Sequence, residues 1–377
     1  MLDGSKSLET LLNMSESTCR WGILGAAEIA RRNWEAIRNT GNGTLVAVAS
    51  RDVSKAQVFI DDCQSQVPFP TAPKAVGDYD EILNSPDIDA VYIPLPTGLR
   101  KDWVIKAARA GKHVLCEKPC AINTHDLDEM ITACADAGVQ FMDGVMFMHS
   151  DRMNALRKTL DDGDSIGDVR RITSQFSFGA PPEFFEGNIR ADGSLEPAGC
   201  LGDLGWYTIR LSLWTMNYQM PVEVTGRLIN SVGDAAVPTE FSGELLFADG
   251  VSASFYNSFI TEHQQWANIS GTKGNLTLND FVLPFFDSEV GFEVSNAHFE
   301  TNGCKFNMER HLSRVAVREY SNNHPQAPET KLFRTFSSLA LSGKPDPHWP
   351  DISLKTQQVM DACLTSARNG GTPITFA

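Results

Sequence analysis

The stretch WGILGAAEIARRNWEAIR, residues 21–38, decides the fold. Trp21 to Leu24 is a short apolar run that reads as a buried strand. From near Ala26 the pattern changes to helical spacing. Between them Gly25 takes a sharp strand-to-helix turn, Ala27 sits where a backbone approaches phosphates, and Ala30 permits close helix-to-strand packing. The pattern is G-x-A-x-x-A, a relaxed form of the dinucleotide-binding fingerprint, and Gly25, Ala26, Ala27, Glu28 and Ile29 are its candidate contacts. A helix N-terminus at this point offers backbone N–H groups to a pyrophosphate.

Small residues in a helix also serve packing alone, so the surroundings carry the reading. Further apolar runs follow at Thr44–Ser50, Ala90–Pro94, His113–Cys116 and Gln140–Asp143, with helical stretches beginning near Ser54, Asp78, Lys101 and Asn123. This alternation predicts a doubly wound parallel α/β Rossmann sheet. Gly111 and Gly138 each close a helix before a strand, where a left-handed C-cap is needed. The second strand ends in Ser50 and Arg51, with Lys55 a turn later. An acid there would bind a ribose 2′-hydroxyl; a hydroxyl and cations suit a 2′-phosphate, so NADP(H) is favoured and NAD(H) stays open because Asp52 is adjacent.

After about Asp151 the texture becomes longer alternating runs, such as VRRITSQFSF, EFSGELLF and VSASFYNSF, separated by turn residues. They predict an α+β domain with a large, mostly antiparallel open sheet. The expected organisation is an N-terminal extension over 1–20, a nucleotide-binding domain over 21–146 and a second domain over 147–377. A glycine-capped helix near the end is expected at SLKTQQVMDACLTSARNG.

Four segments in order, GILGAAEIA, VASRDVSKA, IPLPTGLRKDWVIKAARAGKHVLCEKP and GCLGDLGWY, resemble the glucose-fructose oxidoreductase, inositol dehydrogenase and rhizopine-catabolism family, the Gfo/Idh/MocA group. The resemblance covers about residues 21–210. It implies that the lysine of E-K-P, Lys118, reaches the nicotinamide and the substrate oxygen, with Glu117 beside it and Pro94, Leu95, Pro96 and Thr97 along the cofactor. It also implies that Asp203 orients substrate or lysine and that Tyr207 exchanges a proton. Chemistry agrees: hydride transfer to a carbonyl builds negative charge on oxygen, which an ammonium stabilises. Asp203 and Tyr207, four apart, share a helix face.

The implied activity is hydride transfer between NADP(H) and a secondary alcohol or carbonyl of a sugar, polyol or cyclic diol. Two alternatives stay open: a non-catalytic dinucleotide-sensing regulator, and an enzyme that cycles its nicotinamide internally. The sequence departs from the family where Arg100 replaces a histidine of many relatives and where Pro197, Ala198 and Gly199 replace a glycine triplet. His149, Arg190 and Arg210 are further candidates for contacts to a polar substrate.

A net charge of −15 over 377 residues argues against nucleic acid or an anionic membrane surface as the main partner. The opening 20 residues carry Asp3, Glu9 and Glu16 and resemble neither a signal nor a transit peptide, so a cytoplasmic protein is expected. Eight scattered cysteines with no C-x-x-C pair suggest reduced thiols and no zinc, and the chemistry needs no metal. The resemblance implies that residues 147–377 form the substrate and oligomerisation domain, whose open sheet pairs in a homodimer or homotetramer.

Overall fold

The computed structural model describes residues 18–376. The expected extension at 1–20 lies almost wholly outside the described residues, and its last two members, Cys19 and Arg20, already belong to the first strand. Six parallel strands form the first sheet: β1 (Cys19–Leu24), β2 (Gly43–Ala49), β3 (Lys74–Val76), β4 (Ala90–Ile93), β5 (His113–Cys116) and β6 (Phe141–Asp143), in the order β3-β2-β1-β4-β5-β6. The order reverses between β1 and β4, and such a switch point opens a crevice at the carboxyl ends of the strands. β3 is absent from the sequence reading because it is three half-exposed residues in a proline-rich connection.

Helices α1 (Glu28–Asn39), α2 (Val53–Gln66), α3 (Tyr79–Asn84), α4 (Thr97–Arg109) and α5 (Thr124–Asp136) connect these strands. Asp52 and Asp78 cap α2 and α3, and Asn123 caps α5 by accepting from the Asp126 amide at 2.8 Å. Gly111 and Gly138 have φ of 73° and 66°, the left-handed values expected of them. α4 begins at Thr97, four residues before the expected start. Its N-cap, Pro96, has no side chain that can cap, and the Thr97 amide is satisfied by the distant Glu196.

A 3-10 turn (Met146–His149) and α6 (Asp151–Asp161) lead to the second sheet. Its strands are β7 (Val169–Gly179), β8 (Glu223–Val232), β9 (Val237–Leu246), β10 (Ser252–Ser258), β11 (Ile260–Gly271), β12 (Asn275–Leu278), β13 (Glu289–Asn302), β14 (Lys305–Arg318) and β15 (Ile374–Thr375). They lie in the order β14-β13-β12-β11-β7-β10-β9-β8-β15. All neighbours are antiparallel except β10 and β7. α7 (Trp206–Thr215) lies buried between the two sheets, α8 (Pro328–Ser342) follows β14, and α9 (His348–Arg368) ends in Asn369 followed by Gly370 at φ 68°.

α8 comes late in the chain but packs on the first sheet. Phe333 and Phe336 meet Trp21 with ring centroids 5.2 and 5.1 Å apart, and Phe333 also meets Tyr92 at 5.6 Å. Leu332, Phe333, Phe336 and Ala340 share a core with Trp21, Ile23, Trp34 and Val48. The chain beyond residue 147 therefore builds the second sheet and also covers one face of the first.

Candidate active site

A cavity of about 520 Å³ runs along the carboxyl ends of β1, β4 and β5 and continues between the sheets. Its near end is formed by the turn after β1. Gly25 has φ +116°, and a Cβ there would stand 3.0 Å from Leu95 Cδ2, so a side chain would fill the cradle. Ala27, at the N-cap of α1, makes no side-chain cap, which leaves the first-turn amides of the helix for a ligand. Ala27, Glu28, Ile29, Pro94 and Leu95 line the cavity. An uncapped helix start over a glycine turn fits a dinucleotide pyrophosphate.

Ser50, Arg51 and Lys55 lie outside this cavity, at the end of β2 and the start of α2. Arg51 and Lys55 are exposed. Lys55 shares a smaller pocket of about 290 Å³ with Ala26, Arg31 and Ser54. Asp52 is committed to its own helix, accepting from the Ser54 amide at 3.0 Å and the Ser54 hydroxyl at 2.6 Å. Those bonds hold its carboxyl below the ordinary range. Pro96 and Thr97 stand behind the cavity wall; the Thr97 hydroxyl and amide meet Glu196 at 2.6 and 2.9 Å.

Lys118 projects from the turn after β5. Its Nζ donates to Asp203 Oδ1 at 2.6 Å and to the Asp203 carbonyl at 2.8 Å, and it lies 4.8 Å from the centroid of the Tyr207 ring. Asp203 Oδ2 accepts from Arg190 Nε at 2.9 Å. One carboxylate therefore carries two cations. Burial opposes charge on Lys118, but the Asp203 carboxylate and Tyr207 outweigh it and raise its proton affinity. Burial likewise opposes charge on Asp203, and Lys118 with Arg190 overcomes it, bringing its pKa to about 2. The lysine and aspartate are thus an ion pair at neutral pH.

Asp203 sits in a π-helical turn, Leu201–Gly205, that runs straight into α7. The widened turn brings Asp203 and Tyr207 to the same ammonium, as their spacing suggests. Tyr207 packs between Phe147 and Phe176, with centroids 6.2 and 5.6 Å away. Its hydroxyl has no hydrogen-bond partner among the described residues. Burial raises its pKa more than the Lys118 cation lowers it, because the ammonium faces the ring.

Behind Lys118 runs a buried chain of hydrogen bonds. Asn33 Nδ2 donates to the Tyr92 hydroxyl at 2.7 Å, Tyr92 donates to Glu117 Oε1 at 2.6 Å, and Glu117 Oε2 accepts from the Lys118 amide at 3.2 Å. Glu117 thus lines the cavity with one oxygen tied to the sheet.

Two of the three candidate substrate contacts lie elsewhere. His149 is buried with its ring stacked on Trp349 at 4.7 Å, and burial lowers its pKa to about 3. Arg210, with no exposed surface, donates to Asp143 Oδ2 at 2.5 Å and to Thr356 Oγ1 at 2.7 Å. Both belong to the packing between the sheets, which a sequence pattern cannot separate from a cleft. Arg190 alone reaches the cavity.

The sequence reading missed Arg32, which lines the cavity and pairs with Glu329 of α8, and Phe176, Phe178, Val282 and Leu283, which supply apolar wall. Arg32 stands four residues after Glu28 on the helix that opens the site, a signal that was available. The four apolar residues carry no such signal, since their strands alternate like any half-buried strand. Among the described residues no cluster of His, Cys, Asp or Glu is placed to hold a metal ion, and no helix is long and apolar enough to cross a membrane.

A switch-point crevice that ends on a partly buried lysine–aspartate pair is the architecture expected of a Rossmann-type oxidoreductase. The model of an oxidoreductase family with an NAD-binding Rossmann fold matches residues 19–145, and that of the GFO/IDH/MocA C-terminal domain matches 153–277. The chain belongs to the Gfo/Idh/MocA family and is an NAD(P)-dependent oxidoreductase. It is 33% identical over 264 residues to a D-xylose 1-dehydrogenase (NADP(+)) of Haloferax volcanii, covering 69% of this chain and 75% of that one. To the mouse (Mus musculus) trans-1,2-dihydrobenzene-1,2-diol dehydrogenase it is 30% identical over 267 residues, covering 70% and 76%. A crystal structure of a 3-ketoreductase from Actinomadura kijaniata with NADP and TDP-benzene matches with a TM-score of 0.76 at 25% identity, covering 93% of this chain and 98% of that one.

Proposed function

We propose that the protein interconverts a secondary alcohol and its carbonyl on a sugar, polyol or cyclic diol, with NADP(H) as its cofactor. The observation that carries this reading is the Lys118–Asp203–Arg190 cluster closing the cavity beside Tyr207. The Gly25 turn and the start of α1 would hold the pyrophosphate, and Ser50, Arg51 and Lys55 the 2′-phosphate. The preference for NADP(H) is supported by two exposed cations there, by the engagement of Asp52 in its helix cap, and by a relative named for NADP(+). Bound there, the reduced nicotinamide supplies hydride to the carbonyl carbon.

Lys118 uses two of its three N–H bonds on Asp203, which leaves one to polarise the substrate oxygen. Tyr207 keeps its proton at neutral pH and donates it to the oxygen as the alkoxide forms; oxidation reverses the transfer. Arg190 engages Asp203 through Nε, and its terminal nitrogens, with no partner among the described residues, would serve a neighbouring oxygen of the substrate. Self-association is part of the same reading, supported by Phe299, Phe306, Met308 and Leu312 exposed on the β13–β14 hairpin.

The test is reduced-nicotinamide absorbance with NADP(H) and then NAD(H), across aldoses, deoxysugars, inositols and cyclic diols. Turnover is expected with NADP(H), with about 10²- to 10⁴-fold lower kcat in Lys118→Met and in Tyr207→Phe. Cofactor binding with no net turnover on any compound would move the reading to a regulator or to an internal redox cycle.

A further inference from the structure

Arg100 belongs to the cavity wall, yet neither cofactor binding nor proton handling as described above uses it. It lies in the first turn of α4 and is 5% exposed. Nε donates to the Leu95 carbonyl at 2.6 Å, and Nη1 donates to the Glu117 carbonyl at 2.9 Å and to the Pro119 carbonyl. Its acceptors among the described residues are all backbone carbonyls. A buried guanidinium normally pairs with a carboxylate, so a cation spent wholly on main-chain oxygens has been placed for what it holds.

What it holds is the turn that launches Lys118. The carbonyls on either side of Lys118 converge on one nitrogen, and the third ties that turn to the loop after β4, which lines the cofactor end of the cavity. A lysine side chain has four flexible carbons, so where its ammonium can rest depends on a fixed starting backbone. A planar fork of fixed N–H directions supplies that; a lysine or a histidine at position 100 has no such fork.

We propose that Arg100 is a positioning residue for Lys118, its guanidinium clamping the Glu117–Pro119 turn against the Leu95 loop so that the ammonium meets the reacting oxygen. The proposal rests on the role given to Lys118 above. It is tested with Arg100→Met and Arg100→Lys by amide hydrogen exchange over residues 114–121, with residues 45–49 of β2, which do not pair with β5, as internal reference. NADPH affinity by fluorescence and steady-state kinetics on the compound found above complete the test.

In both variants exchange in the turn is expected to quicken about tenfold while the reference stays unchanged. kcat is expected to fall about 10²-fold, with KM and the NADPH Kd within about threefold. Unchanged exchange in the turn overturns the proposal. So does a uniform acceleration across the chain, which marks a role in stability alone, and so does a kcat within about threefold of wild type. Should Arg100→Met not fold, Arg100→Lys keeps the charge, loses the fork and decides alone. If the wild-type protein turns over no compound, the functional reading falls while the exchange result still decides the clamp.

Discussion

Asp203 holds two cations on a single carboxylate, and that arrangement ties the chemistry of the site to its stability. The folded pKa of about 2 lies below the value of 3.8 for a free aspartate. A depressed carboxylate stabilises the folded state above its unfolded pKa, and the contribution is lost as pH falls toward the folded value. The shift of the Asp203 carboxyl is therefore worth about 2 kcal/mol at neutral pH, most of it lost by pH 2 and the rest as pH falls through the folded value. Wild type should exceed Asp203→Asn in unfolding free energy by that amount or more at neutral pH, because the variant also leaves Lys118 without its counter-ion. The gap should shrink steadily between about pH 5 and about pH 2 in urea titrations. A gap independent of pH would mean that Asp203 is not the ionised partner of Lys118.

Among the elements, α4 is the one whose start depends on another part of the chain. The carboxylate of Glu196 accepts from both the amide and the hydroxyl of Thr97, and Gly98 donates to the Leu195 carbonyl at 2.9 Å. The same loop carries Arg190 to Asp203. Loss of the cap in Glu196→Ala should cost about 1 kcal/mol in chemical unfolding. It should also hasten proteolytic cutting in residues 180–195, since the loop then keeps only its Gly98–Leu195 and Arg190–Asp203 ties of those described above. The widened turn at Leu201–Gly205 belongs to this scale too. The spacing of Asp203 and Tyr207 is legible in sequence as a shared face, but the change of helical pitch that meets Lys118 is not, because it follows from packing on the turn after β5.

At the scale of the whole molecule the two sheets are joined by a buried ion pair. Arg210 of α7 and Asp143 of β6 meet at 2.5 Å, 0% and 1% exposed, and the Trp206 indole donates to the same carboxylate at 3.0 Å. Replacing Arg210 with Met leaves the buried Asp143 carboxylate without its counter-ion and should cost about 3–5 kcal/mol. The check is the urea midpoint, which should fall with little change in slope. A midpoint within error of wild type would show that water reaches Asp143. The same junction explains His149 and Arg210: placed by sequence near the cleft, both are taken up in holding the sheets together.

By itself the sequence determined the local and periodic features. The turn at Gly25, the alternation of strands and helices through Asp143, the left-handed caps at Gly111 and Gly138 and the antiparallel texture after Asp151 all follow from backbone sterics and from apolar spacing within about ten residues. The E-K-P lysine and its partners at Asp203 and Tyr207 were legible through the family resemblance. Only the tertiary structure decided which cations face the cavity, that α8 closes the first sheet from the far end of the chain, that β10 runs parallel to β7, and that Arg100 grips the turn of Lys118. Those outcomes depend on contacts between distant segments, and the period of a strand or helix carries no record of which distant partner its side chains will meet.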